Sequence, residues 1–219
     1  MPSGGTGFRL YLITDRKLAG ARGLLATCEA ALRASAVAAP RGSVAIQLRE
    51  KDLEARELFE LAGEMRALCD RFGAPLLIND RVDVAIAAHA DGVHLASDSI
   101  GVTKARELLG TSRLIGVSTH SPTEVKAASD AGADFVVFGP VFAPLSKGGY
   151  GPPCGRDGLA AACDAASIPV FALGGIAPDR VATLDGSGAV GVAVIGSVIG
   201  ADDPARAIES LLHALSSWK

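Results

Sequence analysis

Three clusters of polar residues in this chain have types and spacings suited to chemistry on an anion. The first is Gln47-x-Arg49-x-Lys51. Alternate residues of a strand share a face, so an amide and two cations would point together. Such a face suits a polyphosphate, which Arg can grip through two parallel hydrogen bonds. The second is Asn79-Asp80, an amide carbonyl beside a carboxylate. Hard oxygen donors suit Mg2+, which takes few carboxylates and completes its shell with phosphate and water. Asp80 can equally serve as the cap of a following helix. The third is Ser146-Lys147, a hydroxyl and a lone cation within 139–155, a stretch dominated by glycine and proline. Connections of that length are usually lids or binding loops, and glycines let backbone approach a ligand. The plainer reading is an irregular surface loop.

These residues need a scaffold to bring them together. Apolar runs at 8–14, 43–48, 75–78, 92–95, 114–118, 133–138, 169–173 and 189–195 predict strands. Between and after them, 21–37, 53–71, 80–89, 102–109, 122–131, 157–165, a segment from Pro178, and 204–215 predict helices. Leu58, Leu61, Met65 and Leu68 recur at helical spacing, Ser121 is placed to cap, and Gly110 to terminate. The helix over 80–89 is short for a crossover. Strict alternation of strand and helix predicts right-handed βαβ units and a parallel sheet. Within 219 residues, the eight repeats predict a single-domain (β/α)8 TIM barrel over 1–219, with 1–7 as a frayed tail. No G-x-G-x-x-G follows the first strand, which argues against a dinucleotide-binding sheet.

In such a barrel, chemistry sits at the C-terminal ends of the strands, and each cluster above falls there. Gly174-Gly175 and Gly196-Ser197 follow strands seven and eight. At that place backbone N–H groups and a helix N-terminus face a phosphate. Ser118 and His120 end strand five; His120 is either a proton carrier near pH 7 or a structural donor. His94 falls inside strand four, with Asp98 and Ser99 just beyond it.

Composition narrows the class. Apolar residues make up 49% and aromatics 5%, so the core is expected to be Ala, Val, Leu and Ile. A net charge of −3 argues against nucleic acid or an acidic membrane as partner and leaves small molecules. The four cysteines, Cys28, Cys69, Cys154 and Cys163, show no metal spacing and fit a reducing cytoplasm. No apolar run reaches about 18 residues and no secretory segment opens the chain, so a soluble cytoplasmic protein is expected. A homo-oligomer is compatible with this composition.

Seven motifs then follow one another: Tyr-Leu-Ile-Thr-Asp15, Gln-Leu-Arg-Glu-Lys-Asp-Leu53, Ile-Asn-Asp-Arg-Val-Asp-Val-Ala85, Asp-Gly-Val-His-Leu95, Ile-Gly-Val-Ser-Thr-His120, Phe-Gly-Pro-Val-Phe142 and Ala-Leu-Gly-Gly-Ile176. In that order they resemble the thiamine phosphate synthase and thiazole tautomerase superfamily, from Phe8 to Gly200. Resemblance to the synthase implies coupling of an aminopyrimidine methyl diphosphate with a thiazole phosphate. It implies that Gln47, Arg49, Lys51, Asn79 and Lys147 hold diphosphate, with Ser146 beside them, and that Asp80 holds Mg2+. Ser118 would sit near the pyrimidine, and Gly174, Gly175, Gly196 and Ser197 would receive the thiazole phosphate.

Two departures bear on the choice between the two activities. The synthase pattern has Gly-Gln-x-Asp after strand four, where this chain has Ala96-Ser-Asp-Ser99. Ser99 replaces the second metal ligand, with Asp98 one residue early. The loop pattern Pro-Thr-x-Thr-Lys becomes Ala143-Pro-Leu-Ser-Lys147. Both drift toward the tautomerase, which needs no metal and would use His120 to shift a proton on a thiazole carboxylate phosphate. A silent protein that only binds thiazole phosphate is a third reading, opposed by the retained Arg49, Lys51, Asp80 and Lys147. The synthase is the leading expectation.

Overall fold

A computed structural model describes residues 6–96, 98–143 and 152–218. The aliphatic runs become eight parallel strands in sequence order, closed into a barrel. They are β1 (Leu10–Ile13), β2 (Val44–Leu48), β3 (Leu76–Asn79), β4 (Gly92–Leu95), β5 (Leu114–Thr119), β6 (Phe135–Phe138), β7 (Val170–Leu173) and β8 (Gly191–Val194). Tyr11 opposite Ala193 closes the ring between β1 and β8. The helices are α1 (Arg16–Ala19), α2 (Leu24–Ala38), α3 (Ala55–Phe72), α4 (Val82–Ala87), α5 (Val102–Leu109), α6 (Pro122–Asp130), α7 (Gly155–Ala165), α8 (Pro178–Val181), α9 (Gly196–Ile199) and α10 (Pro204–Ser216). None is long and apolar enough to cross a membrane.

The expected (β/α)8 barrel is therefore present. Local signals placed most boundaries well: Ser121 accepts the Glu124 N–H at 3.2 Å, and Pro178 opens α8. The crossover after β3 is only six residues of helix, as its sequence implied. Two short helices, α1 and α9, had no periodicity to announce them, because four residues make barely one turn. Of the tail expected over 1–7, only residues 6 and 7 are described.

Strand alternation divides the apolar residues into two cores. Leu10, Leu12, Ile46, Ile78, Val136 and Val192 face outward under the helices. The barrel interior departs from the aliphatic expectation: Phe8, Tyr11, Phe135 and Phe171 pack there, with Phe8 and Phe171 stacked at 5.0 Å between centroids. Four of the ten aromatics gather in this one layer, beside Gly116. A Cβ on Gly116 would meet the Phe135 ring and come within 2.6 Å of His94 Nδ1. All four cysteines are free, and burial pushes the Cys69 thiol up to about 12.

The β1–β8 seam supplies a stability prediction. A Cβ on Gly191 would run into the backbone carbonyl of Arg9, which cannot move without breaking its bond from Val192 N–H. Gly191→Ala is expected to cost about 3 kcal/mol, the upper range for overpacking. Gly63 lies exposed inside α3 with open space around it, so Gly63→Ala should gain about 0.5–1 kcal/mol. Thermal unfolding of both variants checks the contrast; equal melting temperatures would contradict it.

Candidate active site

The C-terminal rim is built by captured carboxylates as much as by strands. β2 stops at Leu48, so the alternation imagined through Lys51 does not extend that far. The reason is Glu50, which is buried and pulled toward β1. Its carboxylate accepts the Thr14 hydroxyl at 2.7 Å, the Arg16 N–H at 3.1 Å and the Arg16 guanidinium at 3.3 Å. Thr14 Oγ1 in turn accepts the Arg49 N–H at 2.9 Å. Arg49 is thus fixed half-buried at the rim, while Lys51 falls in an exposed turn. Arg16 and Lys17 also pair with Asp52, and the Arg16 guanidinium holds that carboxyl below its usual range.

Asn79-Asp80 forms a line of polarised bonds across β2, β3 and β4. Asp80 has a backbone φ of 59°, a left-handed conformation tolerated best by Asn, Asp and Gly. It does not cap α4, whose N-cap is Arg81 with no side-chain cap bond. Instead its carboxylate accepts Ala96 N–H at 3.1 Å, Asn79 Nδ2 at 2.8 Å and the Ser99 hydroxyl. A carboxylate only accepts, so Asn79 must donate to it with Nδ2 and accept with Oδ1. Gln47 Nε2 donates to that Oδ1 at 2.9 Å, which leaves Gln47 Oε1 buried without a partner among the described residues. Gln47 therefore presents an acceptor, suited to a ligand N–H rather than to a phosphate oxygen. Ser99 meets Asp80 directly, and Asp98 is exposed in the turn.

His94, read from sequence only as an interior strand residue, is the group the sequence reading left without a role. It is buried on the barrel axis side of β4, with Nε2 3.0 Å from Ser118 Oγ and Nδ1 3.4 Å from the Tyr11 hydroxyl. Period-two alternation places it inward; only the closed barrel brings Tyr11 and Ser118 to it. Burial, aided by Arg49, pushes its pKa down to about 3, against the opposing pull of Asp80. Burial likewise holds the Tyr11 hydroxyl well above its ordinary value.

A pH dependence follows with a definite sign. The unfolded chain protonates His94 near 6.5 and the folded chain only near 3. Its contribution is fully present above 6.5 and lost as pH falls toward 3, at about 1.4 kcal/mol per unit. Denaturant unfolding at pH 7 and pH 5 should show a smaller acid loss in His94→Asn than in the parent. An identical loss in both would remove His94 as the cause.

The opposite side of the rim belongs to β5 through β8. His120 directly follows β5 and is exposed; its Nδ1–H donates to Gly139 O at 2.6 Å, and its N–H donates to Glu124 at 2.7 Å. It ties down the root of the long loop. Val141 and Phe142 extend pairing beyond β6, donating to Leu173 O at 2.7 Å and Gly174 O at 3.1 Å. Gly174 and Gly175 have φ of 103° and 58°, and a Cβ on Gly175 would strike the Ala143 carbonyl. Arg180 staples this turn, donating to Gly175 O at 2.8 Å with its guanidinium 5.3 Å over the Phe142 ring. α9 begins at Gly196-Ser197 directly after β8, and the amides of these first two residues lack intrahelical partners. Ser146 and Lys147 lie outside the described residues.

The thiamine monophosphate synthase family profile matches residues 10–198. The chain belongs to this family. A thiamine-phosphate synthase of Moorella thermoacetica is 43% identical over 94% of this chain and 95% of its own. A Geobacter sulfurreducens relative, named provisionally for the same activity, is 53% identical over 95% of this chain and 94% of its own. Among solved structures, thiamine phosphate pyrophosphorylase from Pyrococcus furiosus superposes with a TM-score of 0.83 at 33% identity, covering 96% of each chain. Within this family member, no group of three or more His, Cys, Asp or Glu side chains is placed to hold a metal among the described residues.

Proposed function

We propose that this protein is a thiamine-phosphate synthase that joins an aminopyrimidine methyl diphosphate to a thiazole phosphate and releases diphosphate. The observation that carries this reading is the rim beyond β1, β2 and β3: Arg49 fixed by Thr14, and an Asp80 carboxylate oriented by three donors. Such preorganised charge suits departure of an anion and supplies no strong base.

The donor set fits Mg2+ taken together with a diphosphate. Asp80 offers one carboxylate of fixed direction, and Mg2+ is commonly held by one or two carboxylates with substrate phosphates and water. Asp80 would hold it, with exposed Asp98, one residue before Ser99, as the further acid beyond β4. Mg2+, when bound, supplies neutralisation of charge on the departing diphosphate. Arg49, Lys51 and Lys147 add cationic contacts to the same group. Gln47 Oε1 accepts from the pyrimidine amino group, and Ser118 faces the ring. The bond from the pyrimidine methyl carbon to the diphosphate oxygen breaks with its electron pair on oxygen. The thiazole nitrogen lone pair then forms the new bond to carbon. Gly174, Gly175, Gly196 and Ser197 receive the thiazole phosphate through backbone N–H groups, and the Arg180 staple keeps that turn in place. Soluble substrates of this kind suit a cytoplasmic enzyme.

The test supplies both substrates with and without Mg2+ and follows thiamine phosphate. Product that requires Mg2+ supports the reading; no product, with tautomer conversion in a parallel tube, overturns it. His120→Ala separates the activities further. Because His120 is engaged at Gly139, its loss should lower coupling only a few-fold, whereas a tautomerase would lose its proton carrier.

A further inference from the structure

We infer that Tyr11 and His94 form a one-way hydrogen-bond relay that commits the Ser118 hydroxyl to donate toward the bound substrate. Tyr11 is fully buried and packed by Phe8, Phe135 and Phe171, whose surfaces are carbon. Among the described residues, the hydrogen bond its hydroxyl makes is to His94 Nδ1 at 3.4 Å. A buried donor without an acceptor carries its full desolvation cost, so the phenol proton points at Nδ1.

The rest follows from the inventory of a neutral imidazole, which has one donor and one acceptor nitrogen. With Nδ1 accepting, Nε2 carries the ring proton and donates to Ser118 Oγ at 3.0 Å. The Ser118 proton then has no place on His94 and turns into the barrel mouth. The reverse order, with Ser118 donating to Nε2 and Nδ1–H donating to the phenol oxygen, strands the Tyr11 proton among aromatic rings. A protonated ring would strand it as well, and burial opposes that charge. Gly116 keeps the relay open, since any Cβ there would press on Nδ1.

The substrate atom that meets Ser118 must therefore be an acceptor, such as a neutral nitrogen of a heteroaromatic ring. This part rests on the synthase reading, in which the pyrimidine lies there. Tyr11 and His94 are positioning residues: they act through Ser118.

Two measurements test the relay. In 15N-histidine-labelled protein, with the His94 signals assigned by their loss in His94→Asn, nitrogen shifts should report Nε2–H and a bare Nδ1. An Nδ1–H tautomer would overturn the proposal, and so would His94 shifts unchanged in Tyr11→Phe. In coupling kinetics, Tyr11→Phe should raise KM for the pyrimidine diphosphate about tenfold and leave KM for thiazole phosphate alone. Because it acts through Ser118, adding Tyr11→Phe to Ser118→Ala should bring no further loss. Additive losses would instead mark Tyr11 as packing only. Absence of coupling in the parent protein defeats the synthase reading, yet the tautomer is still decided by the nitrogen shifts.

Discussion

Asp80→Asn is expected to lower kcat for thiamine phosphate formation by about 1,000-fold while leaving the melting temperature within a few degrees. The substitution removes the negative charge at the position proposed for Mg2+, and a preorganised charge of this kind is commonly worth about 10²–10³ in rate. It preserves the backbone, because Asn adopts the left-handed conformation at φ 59° as readily as Asp. The amide also keeps an oxygen for the Ser99 hydroxyl and Ala96 N–H, while its nitrogen faces Asn79 Nδ2 and turns that amide, and Gln47 beyond it, to the opposite sense. Asp80→Ala separates the two effects: it loses the same charge and adds about 1 kcal/mol of backbone strain, seen as a lower melting temperature. Asp98→Asn, at an exposed site with no carboxylate-orienting donors of the Asp80 kind among the described residues, should cost only a few-fold. Rate and melting curves for the three variants decide the matter. An Asp80→Asn enzyme within threefold of the parent would remove this carboxylate from the chemistry.

Arg49 carries the second large effect. Its N–H is held by Thr14, whose hydroxyl is held by Glu50, so the base of the side chain is fixed before any substrate arrives. A guanidinium there can meet a diphosphate with two parallel bonds, and the ammonium of Lys cannot. Arg49→Ala is expected to lower kcat/KM for the pyrimidine diphosphate by about 100-fold or more, near 2.7 kcal/mol. Arg49→Lys should recover no more than about a tenth of the parental value. KM for the thiazole phosphate should stay unchanged, since its site is assigned to the strand ends of β7 and β8. Steady-state kinetics with each substrate varied in turn checks this. A matched rise in both Michaelis constants would point to a general distortion of the mouth.

The two predictions depend to different degrees on the tertiary structure. The type and order of Asn79-Asp80 suggested oxygen donors at once, but sequence left open whether Asp80 capped a helix. The fold removed the cap reading by turning the carboxylate away from α4 and toward Ala96 and Ser99. Arg49 was legible as a rim cation, although for an incomplete reason. The sequence places the end of the strand at Leu48, as found, but its alternation was carried on to Lys51, whereas the capture of Glu50 by Thr14 and Arg16 turns the chain there. No local pattern announces a carboxylate that will be buried by residues 34 to 36 positions away.

By itself, the sequence determined the (β/α)8 barrel, the rim that carries the chemistry, and membership of the thiamine monophosphate synthase family. Continuous aliphatic runs alternating with helical ones leave few other ways to bury so much apolar surface, and strand ends are where βα loops must collect polar residues. Only the tertiary structure decided the polarity of the site. Gln47 became an acceptor because Asp80 lies two bonds away along a chain whose last member can only accept. His94 acquired its partners because barrel closure sets β1, β4 and β5 around one interior. Hydrogen-bond direction is a property of neighbours in space, and those neighbours come from strands far apart in the chain.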